Sequence, residues 1–237
     1  MRIDAYLSLW GVGTRKSIAQ AIAKGNVLLD GLPCAKKNTP IHEGQIVQWY
    51  GETLSYRTTF SYVMHKKKGS VTGHEPGQPS VYDDLPQRAK AQGVKAVGRL
   101  DKDTTGLLFF TSDGKLLHQL TAPKYKIERR YLVVYEGTLP EQAEELLLAG
   151  FDFKEGRTAP VKLLRITPQK AELTLTEGRY HEVKRLMSAL GCKVTDLHRS
   201  HYGDFALPKD LKPGEVMPLE VGFLEELFQR SILHERL

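Results

Sequence analysis

The amino-acid sequence predicts an α+β protein in two unequal parts, and three observations carry that reading. The 237 residues suffice for one sizeable core and a smaller second one. Short apolar runs of strand type alternate with segments whose apolar residues recur at helical spacing. A polar, turn-rich stretch at 51–60 divides the first part from the second. We place a small module at residues 1–55, a linker at 56–60 and the larger domain at 61–237.

In the module, Thr14-Arg15-Lys16-Ser17 opens a helix with Ile18, Ala21 and Ile22 on one face, and Gly25 supplies the stop. Asn26 to Gly31 reads as a short strand running into an Asp-Gly turn, and Gln45 to Tyr50 as a second strand. Arg2, Arg15, Lys16, Lys24, Lys36 and Lys37 scatter basic charge around these elements. From charge alone a solvated surface accounts for them.

Phe60 to His65 reads as the strand that opens the larger domain, followed by Lys66-Lys67-Lys68-Gly69 and a Gly/Pro loop at 73–80. Leu107 to Phe110 is too short for a comfortable helix and reads as a buried strand. After Asp113-Gly114, Leu116, Leu117 and Leu120 share a helix face that Pro123 closes. Tyr131 to Tyr135 has strand composition. Pro140 begins a helix with Ala143, Leu146 and Leu147 inward and Gly150 at its end. Val161–Ile166 and Ala171–Thr176 form a hairpin. Val183, Leu186, Met187 and Leu190 make the core stripe of a later helix stopped by Gly191, and Phe223 to Ile232 is a final amphipathic helix.

A formal net charge of +6 and a pI near 9.2 make an anionic partner worth considering. Two distant cysteines, Cys34 and Cys192, give no disulfide framework and no zinc cluster. The start turns polar too soon for a signal peptide, and no apolar stretch is long enough to span a bilayer. These features predict a cytoplasmic protein without membrane partners.

Three stretches carry chemistry. The first is Val97-Gly98-Arg99-Leu100-Asp101-Lys102-Asp103-Thr104-Thr105-Gly106, a charged turn bounded by glycines and leading into the 107–110 strand. It sets Asp101 and Asp103 on a loop carried by a core strand, a common position for catalysis; such residues also simply make turns and caps. The second is Glu177 to Arg185, which gathers Arg179, His181, Lys184 and Arg185 around a helix start that favours anions. A helix opposite a core stripe must also show charge to water, which suits Arg185. The third is Tyr131, next to Arg129 and Arg130. An aromatic in a strand is usually core, but one beside two arginines also suits base stacking with phosphate contacts.

Taken together, these residues resemble a known family. Gly98-Arg99-Leu100-Asp101 with Asp103-Thr104-Thr105-Gly106-Leu107-Leu108 is similar to the active-site motif of RNA pseudouridine synthases, and Glu177-Gly178-Arg179-Tyr180-His181-Glu182-Val183-Lys184-Arg185-Leu186-Met187 to their late motif. Met1-Arg2-Ile3-Asp4 through Arg15 and Lys24-Gly25-Asn26-Val27 to Asp30-Gly31 resembles an S4-type RNA-binding domain. That combination looks like the RsuA-type branch. The resemblance implies a mixed, mainly antiparallel, bent sheet with flanking helices, and a basic cleft where Asp101, Tyr131 and Lys184 meet.

It further implies Asp101 as the nucleophile, attacking sugar or base, Lys184 as the cation that keeps it ionised, and Tyr131 as the ring stacked on a flipped-out uracil. Arg99, Lys66, Arg129, Arg179, His181 and Arg185 would contact RNA around the site, and Arg2, Arg15, Lys16 and Lys24 would meet phosphates on the module. The implied reaction is uridine to pseudouridine in 16S ribosomal RNA, at a uridine-516-type position, by a monomer without metal or cofactor. Its substrate would be the RNA in a small-subunit assembly particle.

The chain departs from the family pattern in three places. Lys184 stands where most relatives have Arg, which turns a bidentate fork into a point charge. Lys66-Lys67-Lys68-Gly69 lacks the usual proline, and Arg129 replaces a lysine two residues before the tyrosine. Three other readings compete: the same chemistry on 23S RNA, a non-catalytic ribosome-assembly factor, and a magnesium phosphohydrolase of D-x-D-x-T type. The last wants an apolar strand directly before its first Asp, where this chain has Gly98-Arg99, and a later acidic motif that is missing.

Overall fold

The computed structural model describes residues 1–233; the last four residues assigned to the larger domain, 234–237, lie outside the described residues. The N-terminal part contains α1 (Ile3–Leu9), α2 (Arg15–Ala23), β1 (Val27–Leu29), β2 (Leu32–Pro33), β3 (Val47–Trp49) and β4 (Glu52–Leu54), with its four strands in the order β2-β1-β3-β4. Thr14 caps α2 by accepting the Ser17 N–H through Oγ1, as its sequence position predicts. Ile18, Ala21 and Ile22 are its buried face. Helix α1 and strand β4 are unforeseen. The first is only seven residues long, and the second lies in the polar stretch read as turns.

The larger part continues with β5 (Ser61–Lys66), α3 (Gln87–Ala91), β6 (Lys95–Ala96), β7 (Thr105–Thr111), α4 (Gly114–Thr121), a 3-10 turn at Pro123–Tyr125 and β8 (Arg129–Glu136). It then runs through α5 (Ala143–Ala149), β9 (Asp152–Phe153), β10 (Gly156–Arg157), β11 (Lys162–Thr167), β12 (Lys170–Leu175) and α6 (Glu182–Ala189). Strands β13 (Lys193–Tyr202), β14 (Phe205–Ala206) and β15 (Val216–Pro218) and helix α7 (Phe223–Leu233) complete it. Its main sheet has the order β11-β12-β8-β13-β7-β5-β15, with β14 beside β13 and β6 beside β7. Among these pairings β13 with β7 is parallel and the rest are antiparallel. The architecture is the mixed, mainly antiparallel α+β fold expected.

Strands β5 and β7 are covered on both faces, which is why they read as unbroken apolar runs. Tyr62, Met64, Leu108 and Phe110 join the core that extends from the N-terminal part, while Val63, Leu107 and Phe109 pack with α4 and α7 residues such as Leu116 and Leu227. Strand β8 alternates instead, with Tyr131, Val133 and Tyr135 buried.

Two sequence readings need correction. Helix α5 starts at Ala143, not Pro140, whose carbonyl accepts the Ala143 N–H in a preceding turn. Its two turns then bury Ala143 and Leu147, four residues apart, and leave Leu146 exposed. Strand β13, central to the sheet, was not foreseen. Its period is broken by irregularities at Val194/Asp196 and Arg199/His201, and one of its buried positions is an arginine.

The two parts share one apolar core. Trp10 packs edge-on against Phe60, the Trp10 carbonyl accepts from Gln92 Nε2 at 3.1 Å, and Arg88 meets Glu52 at 2.6 Å. These contacts dock the first four strands against α3 and β5.

Candidate active site

Asp101 sits on loop 98–104, between β6 and β7. Gly106 sets where that loop ends. Its φ is +107°, and a Cβ there would fall inside the van der Waals envelope of the Arg199 main chain on β13, so only glycine lets the two parallel strands approach so closely. The Thr104 N–H closes the turn onto the Asp101 carbonyl at 3.1 Å. Thr72 Oγ1 donates to the Leu100 carbonyl and accepts the Leu100 N–H.

Beneath the loop lies Lys66, the last residue of β5, with no exposed surface. Its ammonium donates to the carbonyls of Thr104 at 2.7 Å, Lys67 at 3.1 Å and Lys102 at 3.3 Å. Burial pulls its pKa down to about 8, against the pull of the Asp103 and Asp101 charges. The lysine is therefore a brace for the loop and not a surface contact for RNA, which corrects the sequence expectation. A strand-terminal lysine in a lysine run gives no sign of burial.

Above the loop, Lys184 Nζ lies 3.3 Å from Asp101 Oδ2 and 2.7 Å from Asp103 Oδ1, and His181 Nε2 lies 3.6 Å from Asp101 Oδ1. Lys184 thus serves two carboxylates, where the resemblance implied one. For Asp103 burial works upward, but the Lys184 hydrogen bond and charge outweigh it and hold the carboxyl below its usual range. For Lys184 burial works downward, but the Asp103 hydrogen bond and both carboxylate charges prevail and raise it. Lys184 and Asp101 keep 26% and 29% of their side-chain surface exposed. Such a pair is worth about 1 kcal/mol or less to stability, so its consequence is local charge at the site.

Asp101, Lys184 and His181 open onto a cavity of about 440 Å³, which Tyr131 and Arg199 also line. Tyr131 is 9% exposed and stands between Leu173 of β12 and Arg199 of β13 in register. Glu182, the first residue of α6, is buried and accepts the Arg179 N–H through Oε2 at 2.9 Å. Burial pushes its carboxyl above the ordinary range.

Sequence reasoning missed Arg199. It is 2% exposed, its Nε donates to the Leu107 carbonyl at 2.7 Å, and its guanidinium lies 5.3 Å from the Tyr202 ring centre. Its Nη2 and the Thr104 Oγ1 are buried without a hydrogen-bond partner among the described residues. The one available signal was Leu197 and Arg199 two apart in a strand-forming stretch.

Of the other residues singled out from the sequence, Arg99 is exposed at the cavity and makes no hydrogen bond or ion pair among the described residues. Arg129 is buried, with its guanidinium donating to the carbonyls of Leu120, Thr176 and Glu177 and to Tyr202 Oη; it braces the fold and cannot reach RNA. Arg179 and Arg185 are likewise engaged. Arg179 binds Glu177 and the carbonyls of Gly156 and Arg157, while Arg185 binds Glu155 and lies 4.1 Å from the Phe153 ring centre. Both fasten the late motif to the β9–β10 hairpin. Arg2 and Arg15 line a separate groove of the N-terminal part together with Lys37, and Lys16 and Lys24 are exposed.

A half-exposed carboxylate held beside an ammonium, facing a cavity with an aromatic wall, is equipped for nucleophilic attack on a planar ligand. Comparison with known proteins gives the family. The RNA pseudouridylate synthase family matches residues 61–189. The chain is 36% identical over 227 residues to the ribosomal small subunit pseudouridine synthase A of Escherichia coli (strain K12), covering 92% of this chain and 96% of that protein. It is 35% identical over 217 residues to the protein of the same name from Vibrio cholerae, covering 91% and 94%. A crystal structure of a pseudouridylate synthase, 31% identical, superposes with a TM-score of 0.67 over 96% of this chain and 99% of that one.

Proposed function

The chain belongs to the RNA pseudouridylate synthase family as an RsuA-type enzyme, and from that premise we propose that it isomerises one uridine of small-subunit ribosomal RNA with Asp101 as nucleophile. The observation that carries this reading is the Lys184 ammonium set against Asp101 and Asp103 at the mouth of the cavity that Tyr131 lines. The names of the curated relatives support small-subunit ribosomal RNA as the substrate, and within it we take 16S RNA at a uridine-516-type position, as the sequence resemblance implies.

The reaction replaces the N1–C1′ bond of uridine by a C5–C1′ bond and moves the C5 proton to N1, so no atom is gained or lost. Its stoichiometry asks for no redox partner. Asp101 forms the covalent bond, to sugar or base, and is regenerated when C5 joins C1′. Lys184 sets a positive charge 3.3 Å from the carboxylate while the bound RNA displaces water from it. Tyr131 presents its ring to the uracil, and Arg99 holds the flipped nucleotide's phosphate or fills its gap. His181 adds a second cation beside Asp101 when protonated.

The N-terminal part acts as the S4-like RNA-binding module of residues 1–55, joined through 56–60 to the catalytic domain. Arg2, Arg15, Lys16 and Lys24 meet phosphates, a salt-dependent contribution that carries no sequence information. We assign the enzyme to the cytoplasm as a monomer acting on a small-subunit assembly particle. No helix among the described residues is long and apolar enough to cross a membrane.

The test is tritium release from C5-tritiated uridine in unmodified 16S RNA with EDTA present, comparing the wild type with Asp101→Asn. Release by the wild type alone supports the reading. Release only from 23S RNA moves the target. Silence on free RNA and on a small-subunit assembly particle overturns the reading in favour of a binding factor.

A further inference from the structure

The late motif carries one aromatic side chain that neither the core nor the proposed chemistry uses. Tyr180 is 74% exposed, although it lines the cavity that holds Asp101. Its ring lies stacked against His181, with the two ring centres 3.8 Å and the two planes 18° apart. His181 has a φ of +50°, an uncommon conformation for a residue with a side chain. Strain of this kind persists where surrounding contacts enforce it, and it clusters at functional sites.

Those contacts are visible. The Tyr180 carbonyl accepts from Arg185 Nη1 at 3.2 Å, and Arg185 is itself bound to Glu155 and packed on Phe153. Arg179, on the other side, is fastened to the Gly156 and Arg157 carbonyls. The hairpin therefore holds the segment rigid on both sides of the exposed ring. With one face on His181, Tyr180 turns its other face to solvent at the mouth of the cavity. A rigid aromatic with a free face loses little conformational entropy when a planar group settles on it.

We propose that Tyr180, backed by His181, is the stacking platform for a nucleobase adjacent to the target uridine. The proposal rests on the reading that the cavity receives a flipped-out uridine. Flipping removes that nucleotide from the stack and leaves a neighbouring base with one bare face. The Tyr180 ring supplies the missing partner. Aromatic platforms of this kind accept any base, because every base has a π-face. The residue therefore sets how firmly the flanking RNA is held, while Asp101 sets what is done to the target.

The experiment uses the full chain and 16S RNA ligated from segments, with either the ordinary nucleotide or an abasic one on each side of the target. Conversion of the ordinary RNA by the wild type tests the underlying reading without reference to Tyr180. Tyr180→Ala is expected to raise KM for that RNA roughly 5- to 100-fold, and Tyr180→Phe to stay within about twofold of the wild type. An abasic nucleotide on one flank should raise the wild-type KM to a similar extent and erase the difference between wild type and Tyr180→Ala. A Tyr180→Ala KM equal to that of the wild type overturns the proposal. So does a penalty of the same size on all three RNAs, which would place the role of Tyr180 inside the protein. If the wild type converts none of them, either free or assembled into a small-subunit particle, the cavity reading falls and the platform falls with it.

Discussion

The basic side chains around the cavity form two sets that differ in what they meet. At the rim, Lys184 and His181 face the Asp101 carboxylate, and Arg99 faces solvent. Beneath it, Lys66, Arg129 and Arg199 are buried and meet main-chain carbonyls and the Tyr202 phenol or ring; no carboxylate lies within ion-pair distance of them among the described residues. Burying an ion costs several kcal/mol even after relaxation. The lower set offsets that cost with up to four donated hydrogen bonds per side chain, to main-chain carbonyls and the Tyr202 hydroxyl. On the proposed reaction, charge at the rim acts on the chemistry, and charge below acts on the geometry. Removing one should change electrostatics with the fold intact, and removing the other should disturb position.

The comparison breaks most visibly at Asp101 itself. Asp101→Asn keeps the shape of the loop and is expected to lower turnover by ~10³-fold or more, while RNA affinity and the melting temperature change little. Tritium release, filter binding and a thermal melt on one preparation check all three. Equal loss of affinity and turnover would mean that the carboxylate organises binding.

Lys184→Met comes next, with an expected fall in kcat of ~10²-fold as Asp101 loses its cation. Because the pair is partly exposed, the melting temperature should drop by no more than about 2–4 °C. Lys184→Arg should restore most of the rate, since the requirement is charge at that place. Failure of arginine to rescue would show that the compact ammonium, shared between Asp101 and Asp103, is itself required.

Much of this geometry was legible from residue types. Gly98 and Gly106 marked the loop, the 107–110 run marked the strand behind it, and the Glu177–Arg185 cluster marked the helix that brings Lys184 to Asp101. The signals that failed share one cause, polar side chains placed where pattern reading expects apolar ones. Lys66 and Arg199 are buried for the sake of carbonyls that a sequence does not display, and Arg129 looks like any surface arginine beside a strand. The expectation that Lys66 and Arg129 touch RNA came with the family resemblance, and their burial reverses it. Strand β13 escaped for the same reason, since its irregularities disrupt the alternation by which strands are recognised.

Lys66 gives the sharper test of the lower set, because its pH signature differs from that of Lys184. With a pKa near 8 in the fold against an ordinary 10.5, Lys66 is charged below that value and sheds its proton as pH rises through it. Between about 8 and 10.5 the unfolded chain still holds the proton, so this group makes the fold more stable as pH rises through that window. Turnover should fall over the same range, because a neutral amine grips the three carbonyls less well. Lys184, whose pKa is raised, stays charged throughout and contributes stability that is lost only at higher pH. Stability and activity are therefore expected to move in opposite directions above pH 8. In Lys66→Met the alkaline fall in activity should vanish from a base rate already ~10-fold lower. An unchanged alkaline limb in that variant would assign it to another group.

The smallest effect is expected at Arg99, and it measures how far the rim extends as a binding surface. Arg99 is exposed at the cavity without a partner among the described residues, so Arg99→Ala leaves no buried group unsatisfied and should not shift the melting temperature. If it holds one phosphate near the flipped nucleotide, RNA affinity should weaken a few-fold at moderate salt, and the slope of log K against log salt should fall by about 0.7–0.9. Arg15→Ala, in the groove of the N-terminal part, should give the same slope change while leaving kcat on saturating RNA untouched. Arg99→Ala should lower kcat as well, since its phosphate would lie next to the reacting nucleotide. Identical behaviour of the two variants would reduce Arg99 to ordinary surface charge and confine the working rim to Lys184 and His181.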